Sequence, residues 1–221
     1  MRELMKRSRH NVEVIVDRLE TLEFEFVLPG IRELSVPGPV GLPMEYSKAN
    51  ARFFPADDED REILETAFSA SDPMPLAVGL WYESVGTVCL MGDFGRLCAY
   101  KSRDRFRVDG VEVFADPLVV MPLNVLVHDL GSGYRGPEGK WIRATVMPDA
   151  KSKAGYSSSG PYDLEFRPGV VDPVLLNEPH GFTFIEYLRF SFAWGGFPGW
   201  AQFPDQAPQE IKYLTENLLS L

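Results

Sequence analysis

The densest set of groups able to do chemistry lies between Asp149 and Tyr162. Asp149, Lys151, Lys153, Ser157, Ser158, Ser159 and Tyr162 place an acid, two amines and several hydroxyls around Gly155 and Gly160. Amines beside glycine-rich backbone can hold an anion through ammonium groups and main-chain N–H. The same composition also makes a solvated connection between strands, and that reading is the more economical because such stretches are common. A second candidate is Gly195-Gly196-Phe197-Pro198-Gly199-Trp200, with two large aromatics among three glycines. Exposed Phe and Trp side chains would form a recognition ridge, since large aromatics dominate interface energetics. Alternatively, Phe197 and Trp200 fold back onto the core and the glycines only permit the turn.

Other chemistry is represented by isolated residues. The chain has no GxSxG elbow, no GxxxxGK[ST] phosphate loop, no HExxH and no CxxC pair. His10, His128 and His180 are far apart, and His128 beside Asp129 is the one with an acidic neighbour. A surface histidine is the simpler account of it. Cys98 has no histidine at a catalytic spacing and reads as a small apolar side chain. Asp57-Asp58-Glu59-Asp60 lacks the glycine turn and distal glutamate of an EF-hand loop. Acids at that place cap the orphan amides of the helix that follows and oppose its dipole. No catalytic residue, metal ligand or cofactor is assigned.

The chain of 221 residues has a net charge of −10 and is 45% hydrophobic. That length buries enough surface to fold without a disulfide or metal. The acidic balance argues against nucleic acid and against an anionic membrane surface, and it suits a basic protein partner. No apolar run approaches the roughly 18 residues of a membrane span, and the charged N-terminus lacks a signal-peptide core. A cytoplasmic location with reduced thiols is expected. If Asp93-Phe94 turns a hairpin, Cys89 and Cys98 face each other across two strands.

The elements that must position these groups begin with a helix over residues 2–20, on which Val12, Ile15, Val16 and Leu19 keep helical spacing. A short strand at 24–28 precedes a proline-rich loop to Pro55. Helices are expected at 58–69 and 76–85, then strands at 87–91, 96–100, 111–114, 118–121, 141–147 and 162–166. The aromatic stretch Phe182–Trp200 opens as a helix that Gly195-Gly196 should stop. The last helix runs through QEIKYLTENLLSL with Ile211, Leu214 and Leu218 on one face. The expected class is α+β: one mainly antiparallel sheet of about five to six strands, flanked by N-terminal, central and C-terminal helices. A single domain is expected, with 1–55 as an N-terminal extension and 57–200 as the core.

The block Pro75–Gly86, PLAVGLWYESVG, followed by TVCLMG, resembles a motif of the SUKH superfamily (Smi1/Knr4-like proteins), and Thr183–Leu188, TFIEYL, is similar to its closing helix. Met74-Pro75-Leu76 departs from the usual Leu-Pro start, and Val85 stands where an asparagine is typical. The chain also resembles an uncharacterised bacterial family through Asp116-Pro117-Leu118, Pro148-Asp149-Ala150-Lys151 and Tyr187–Gly199. The SUKH resemblance implies a non-enzymatic protein-binding module, as in immunity proteins that neutralise a toxin domain or in adaptors. The expected partner is a protein, such as a basic toxin domain, bound through the acids plus the aromatics near Phe197 and Trp200. The alternative is a small-molecule-binding protein or hydrolase using Asp149, Lys151, Lys153 and Tyr162.

Overall fold

The computed structural model describes residues 1–26, 53–55, 57–69, 74–97, 107–132, 134–135, 142–154 and 160–221. The chain opens with helix α1 (Arg2–Thr21) and strand β1 (Glu25–Phe26), followed by β2 (Phe53–Phe54), α2 (Asp58–Ser69) and α3 (Leu76–Ser84). Short strands β3 (Thr87–Cys89), β4 (Gly92–Asp93), β5 (Arg107–Val108), β6 (Val111–Glu112) and β7 (Val119–Val120) lead to α4 (Leu123–Ser132). Then come β8 (Tyr134–Arg135), β9 (Ile142–Met147), α5 (Ala150–Lys153), β10 (Tyr162–Phe166), β11 (Leu175–Leu176) and α6 (Phe184–Ala193). Two 3-10 turns, Pro198–Gln202 and Pro204–Gln206, precede α7 (Gln209–Thr215).

Helices combined with antiparallel strands make the chain α+β, but the single sheet of five to six strands is corrected. Among the described residues the strands form one sheet of four, ordered β11-β10-β9-β8, one of three, β2-β3-β7, and two pairs, β1-β4 and β5-β6. Strand β4 pairs with β1, Phe26 opposite Gly92, and residues 98–100, on which the returning strand of the expected hairpin falls, lie outside the described residues. Gly92 has no room for a side chain, since a Cβ there would lie 2.0 Å from the Phe24 ring. Strand β3 instead lies between β2 and β7, with Val88 opposite both Phe53 and Val120. Cys89 is buried. Cys98, like most of the proline-rich loop, lies outside the described residues.

The apolar face expected of α1 is present. Met5, Val12, Ile15 and Leu19 are fully buried in the same cluster as Trp81, Phe184, Phe197 and Trp200. Residues 1–21 therefore share the core with residues 57–200. The acids before α2 do cap it: Asp60 donates its N–H to Asp57 Oδ1 at 2.9 Å, and Asp57 its N–H to Asp60 Oδ2 at 3.4 Å. This reciprocal arrangement satisfies two donors at the helix start.

Helix α6 lies where the aromatic stretch predicts it, with Phe184, Ile185, Tyr187, Leu188 and Phe192 buried. Thr183 and Glu186 close a capping box at its start. It ends through Gly195 (φ 60°) and Gly196 (φ 88°), the left-handed region that glycine enters without steric cost. Two helices were not expected, α4 and the short α5, nor were the two-residue strands β2, β5, β8 and β11. The last helix is also shorter than its periodicity suggests. It stops at Thr215, and Asn217 takes φ 56°.

A candidate polar site inside the fold

Four side chains from four separate stretches meet in the interior: Asp116, Lys153, Tyr162 and Tyr187. Asp116 belongs to the segment between β6 and β7 and has φ 50°, a left-handed conformation that Asp tolerates better than most residues. The turn after α6 braces that segment. Leu118 donates its N–H to Gly196 O at 2.7 Å, and Gly199 donates to Ala115 O at 3.0 Å. A Cβ on Gly199 would lie 1.7 Å from Phe114 O, so only glycine allows this approach. The glycine-rich turn is thus a backbone support for Asp116.

Lys153 is delivered by α5. Asp149 caps this one-turn helix, with Oδ1 accepting from Lys151 N and Ser152 N at 2.9 Å each and Oδ2 accepting from Ser152 Oγ at 3.1 Å. The cap orients the turn so that Lys151 is exposed while Lys153, two residues on, is fully buried. Lys153 Nζ donates to Asp116 Oδ1 at 2.7 Å and to the Tyr187 hydroxyl at 3.3 Å. Tyr162 opens β10, and Tyr187 sits on the inner face of α6. Both hydroxyls donate to Asp116 Oδ2 at 3.4 Å. Their rings meet edge to face at 5.8 Å, and the ammonium lies 5.1 Å and 5.8 Å from the two centroids.

The electrostatics follow from burial. Both phenols are pushed well above the ordinary tyrosine value, first by loss of water and then by the Asp116 charge beside them. They therefore stay protonated donors at neutral pH. A carboxylate accepting from an ammonium and two phenols is compensated in the way a buried charge requires. The Asp116 side chain is 10% exposed and that of Lys153 0%. The group is internal and bonded to itself.

The structure sorts the sequence candidates clearly. Asp149, Lys153 and Tyr162 come together, Asp149 as the cap and the other two as members of the cluster. Lys151 faces solvent, and Ser157, Ser158 and Ser159 lie outside the described residues. Phe197 and Trp200 are 0% and 1% exposed, so the contact ridge is corrected: both rings fold back onto the core. Phe197 stacks edge to face on Phe24 at 6.0 Å, and Arg96 covers the Trp200 ring at 5.4 Å.

Asp116 and Tyr187 were not singled out for a site by the sequence, although each stands in one of the blocks carrying the second resemblance. The three blocks, Asp116-Pro117-Leu118, Pro148–Lys151 and Tyr187–Gly199, converge here. A second buried carboxylate lies near. Glu178 accepts from His180 N at 2.8 Å and Phe182 N at 3.2 Å, and its Oε1 is 2.6 Å from His180 Nδ1. Its charge also helps hold both phenols protonated. His10 is exposed; the side chain of His128, on α4, lies outside the described residues.

Among the described residues no group of three or more His, Cys, Asp or Glu side chains is placed to hold a metal ion. No helix among them is long and apolar enough to cross a membrane. No family model, no curated protein and no solved structure matches the chain.

Proposed function

We propose that the chain is a non-enzymatic, cytoplasmic protein-binding domain of the immunity or adaptor kind, directed at a basic protein partner. The observation that carries this reading is the inward placement of its chemical groups. Lys153 and Asp116 neutralise each other inside the fold, and the two phenols beside them are spent on the same carboxylate. A general base or nucleophile must reach a substrate atom directly or through one water, and a fully buried ammonium does neither. The exterior is acidic by contrast. Glu23, Glu62, Glu186, Asp205 and Glu216 are exposed on a chain of net charge −10. Opposite fields steer a basic partner and disfavour acidic ones.

The test is purification of the tagged full chain from native lysate, with mass spectrometry under non-denaturing conditions. A stoichiometric basic protein, released as salt rises because surface charges are screened, is the expected result. A chain that elutes alone with an added small mass, lost on Lys151→Ala, would overturn it. That outcome would favour ligand binding or hydrolysis by residues 149–162.

A further inference from the structure

An amine shut away from water beside a carboxyl group has one electrophile within reach. Lys153 is fully buried, and its Nζ donates to Asp116 Oδ1 at 2.7 Å. Oδ1 is bonded to Cγ, so the nitrogen already lies beside the carbon it would attack. Both groups are held in place. Asp116 sits at φ 50° on a segment that Gly196 and Gly199 brace, and the Asp149 cap aims Lys153 inward. Reacting groups fixed in this way forgo much of the entropic cost that slows the same reaction in solution. The second carboxyl oxygen, Oδ2, accepts from the hydroxyls of Tyr162 and Tyr187 at 3.4 Å each. Two donors aimed at one oxygen are the arrangement that stabilises the oxyanion of acyl transfer, and such bonds are often long until charge develops. Burial and the adjacent carboxylate keep both phenols protonated, so both remain donors.

We propose that Lys153 and Asp116 condense into an internal isopeptide bond, Nζ to Cγ, with Tyr162 and Tyr187 as the oxyanion donors. A proton first passes from Nζ to Oδ1 along their hydrogen bond, leaving a neutral amine and a carboxylic acid in a site without water. The amine lone pair then forms the N–C bond while the carbonyl π pair moves onto Oδ2, where the two phenols meet it. As that pair returns, the Cγ–Oδ1 bond breaks, and Oδ1 takes a second proton from the nitrogen and leaves as water. Ammonium and carboxylate thus become amide and water, with no oxidant, cofactor or second substrate. Both buried charges disappear, and with them the desolvation cost of a buried ion pair. Oδ2 stays an acceptor for the phenols. The residue after Asp116 also matters, because it is Pro117. Proline has no N–H, so attack of the following backbone nitrogen on the side chain, the usual route by which an aspartate loses water, is closed. The bond would tie together residues 37 apart in the chain. It does not depend on what the surface binds.

The test is the mass of the purified, unaltered full chain, read after denaturation, both fresh and after prolonged incubation in the folded state at neutral pH. The expected result is a chain one water lighter than its sequence. Its tryptic digest should hold a branched peptide that joins Asp116 to Lys153 and is uncut at Lys153. A folded chain that keeps its full sequence mass, or that loses water only at another place, would overturn the proposal. Lys153→Arg should keep the full mass under the same treatment, and a branched peptide at Asp116 in that variant would also overturn it. In chain made by cell-free synthesis and followed in time, Tyr187→Phe should slow the appearance of the bond about a hundredfold. Lys151→Ala should leave the rate unchanged. Tyr162→Phe reads the same oxygen if Tyr187→Phe does not fold. A parental rate in a folded phenylalanine variant would overturn the assignment of the phenols.

Discussion

Two polar networks in this molecule lie at different depths and bond in opposite ways: the first is internal, whereas of the second only Asn11 is buried and Arg7 and Arg189 are exposed. In the first, Asp116, Lys153, Tyr162 and Tyr187 bond side chain to side chain, and each partner has a fixed identity and position. In the second, Asn11, Arg7 and Arg189 bond to main-chain atoms of residues 219–221 and to none of their side chains. The first network specifies one arrangement of four separate stretches. The second ties residues 219–221 to α1 and α6 through main-chain atoms alone. Pairing between side chains fixes which residues meet, whereas bonding to backbone fixes only the path of the chain.

The largest effects should come from breaking the exclusive network. Lys153→Met leaves the Asp116 carboxylate buried without its ammonium and should cost about 3–5 kcal/mol in urea unfolding. Asp116→Asn combined with Lys153→Met removes both charges, keeps a residue that tolerates φ 50° and an acceptor for the two phenols, and should recover much of that loss. A single Lys153→Met change within about 1 kcal/mol of the parent, a loss typical of an average point mutation, would mean the ion pair is incidental. The phenols add a pH signature. The folded state holds Tyr162 and Tyr187 protonated above their ordinary value, chiefly through burial, and also Tyr82 on α3, which is buried with its hydroxyl donating to Met121 O at 2.8 Å. The unfolded chain releases those protons near pH 10, so their contribution is intact below that pH and lost as pH rises above it. Three such groups give a decline of about 4 kcal/mol per pH unit. Tyr187→Phe should remove about a third of that slope while costing about 1.5–3 kcal/mol at neutral pH through the lost bond to a charged group. An unchanged slope in the variant would show that Tyr187 titrates normally.

The same comparison explains what the sequence could convey. Regular patterns were legible: the helical spacing of Val12, Ile15, Val16 and Leu19 gave α1, the acids at 57–60 gave a helix start, and Gly195-Gly196 gave a helix end. The stretch 149–162 was legible as a concentration of polar groups, but not the inward turn of Lys153. That turn depends on Asp149 capping a helix of four residues, too short to leave a period. Asp116 was invisible as a site because its partners lie 37, 46 and 71 residues away. Phe197 and Trp200 could not be placed by type alone, since the same rings serve a ridge or a core. The small sheets escaped for a related reason. Strands of two or three residues carry almost no alternation, and pairing such as β1 with β4 is set by tertiary approach at Gly92. The break after Thr215 defeated periodicity because Asn11, more than 200 residues earlier, offers the backbone a better partner than another helical turn.

Smaller changes sharpen the contrast from the backbone-bonded side. Asn11→Ala should cost about 1–2 kcal/mol, as expected when two backbone bonds at the molecular edge are lost and water can replace them. It should also quicken amide exchange at Leu219 without changing it at Tyr187. A uniform increase at both sites would show that residues 217–221 are coupled to the core as tightly as the internal network is, which would erase the distinction. The smallest effect belongs to Lys151. It lies two residues from Lys153 on the same turn, has the same chemistry and is exposed. Lys151→Ala leaves the backbone N–H that bonds Asp149 Oδ1, so the cap survives. Stability should stay within about 0.5 kcal/mol of the parent, the usual range for surface substitutions away from special features. Two lysines on one helical turn would then differ about tenfold in their free-energy cost, set by which one the cap turns inward. A Lys151→Ala loss comparable to that of Lys153→Met would place both amines in one functional unit and return residues 149–162 to the role of a site.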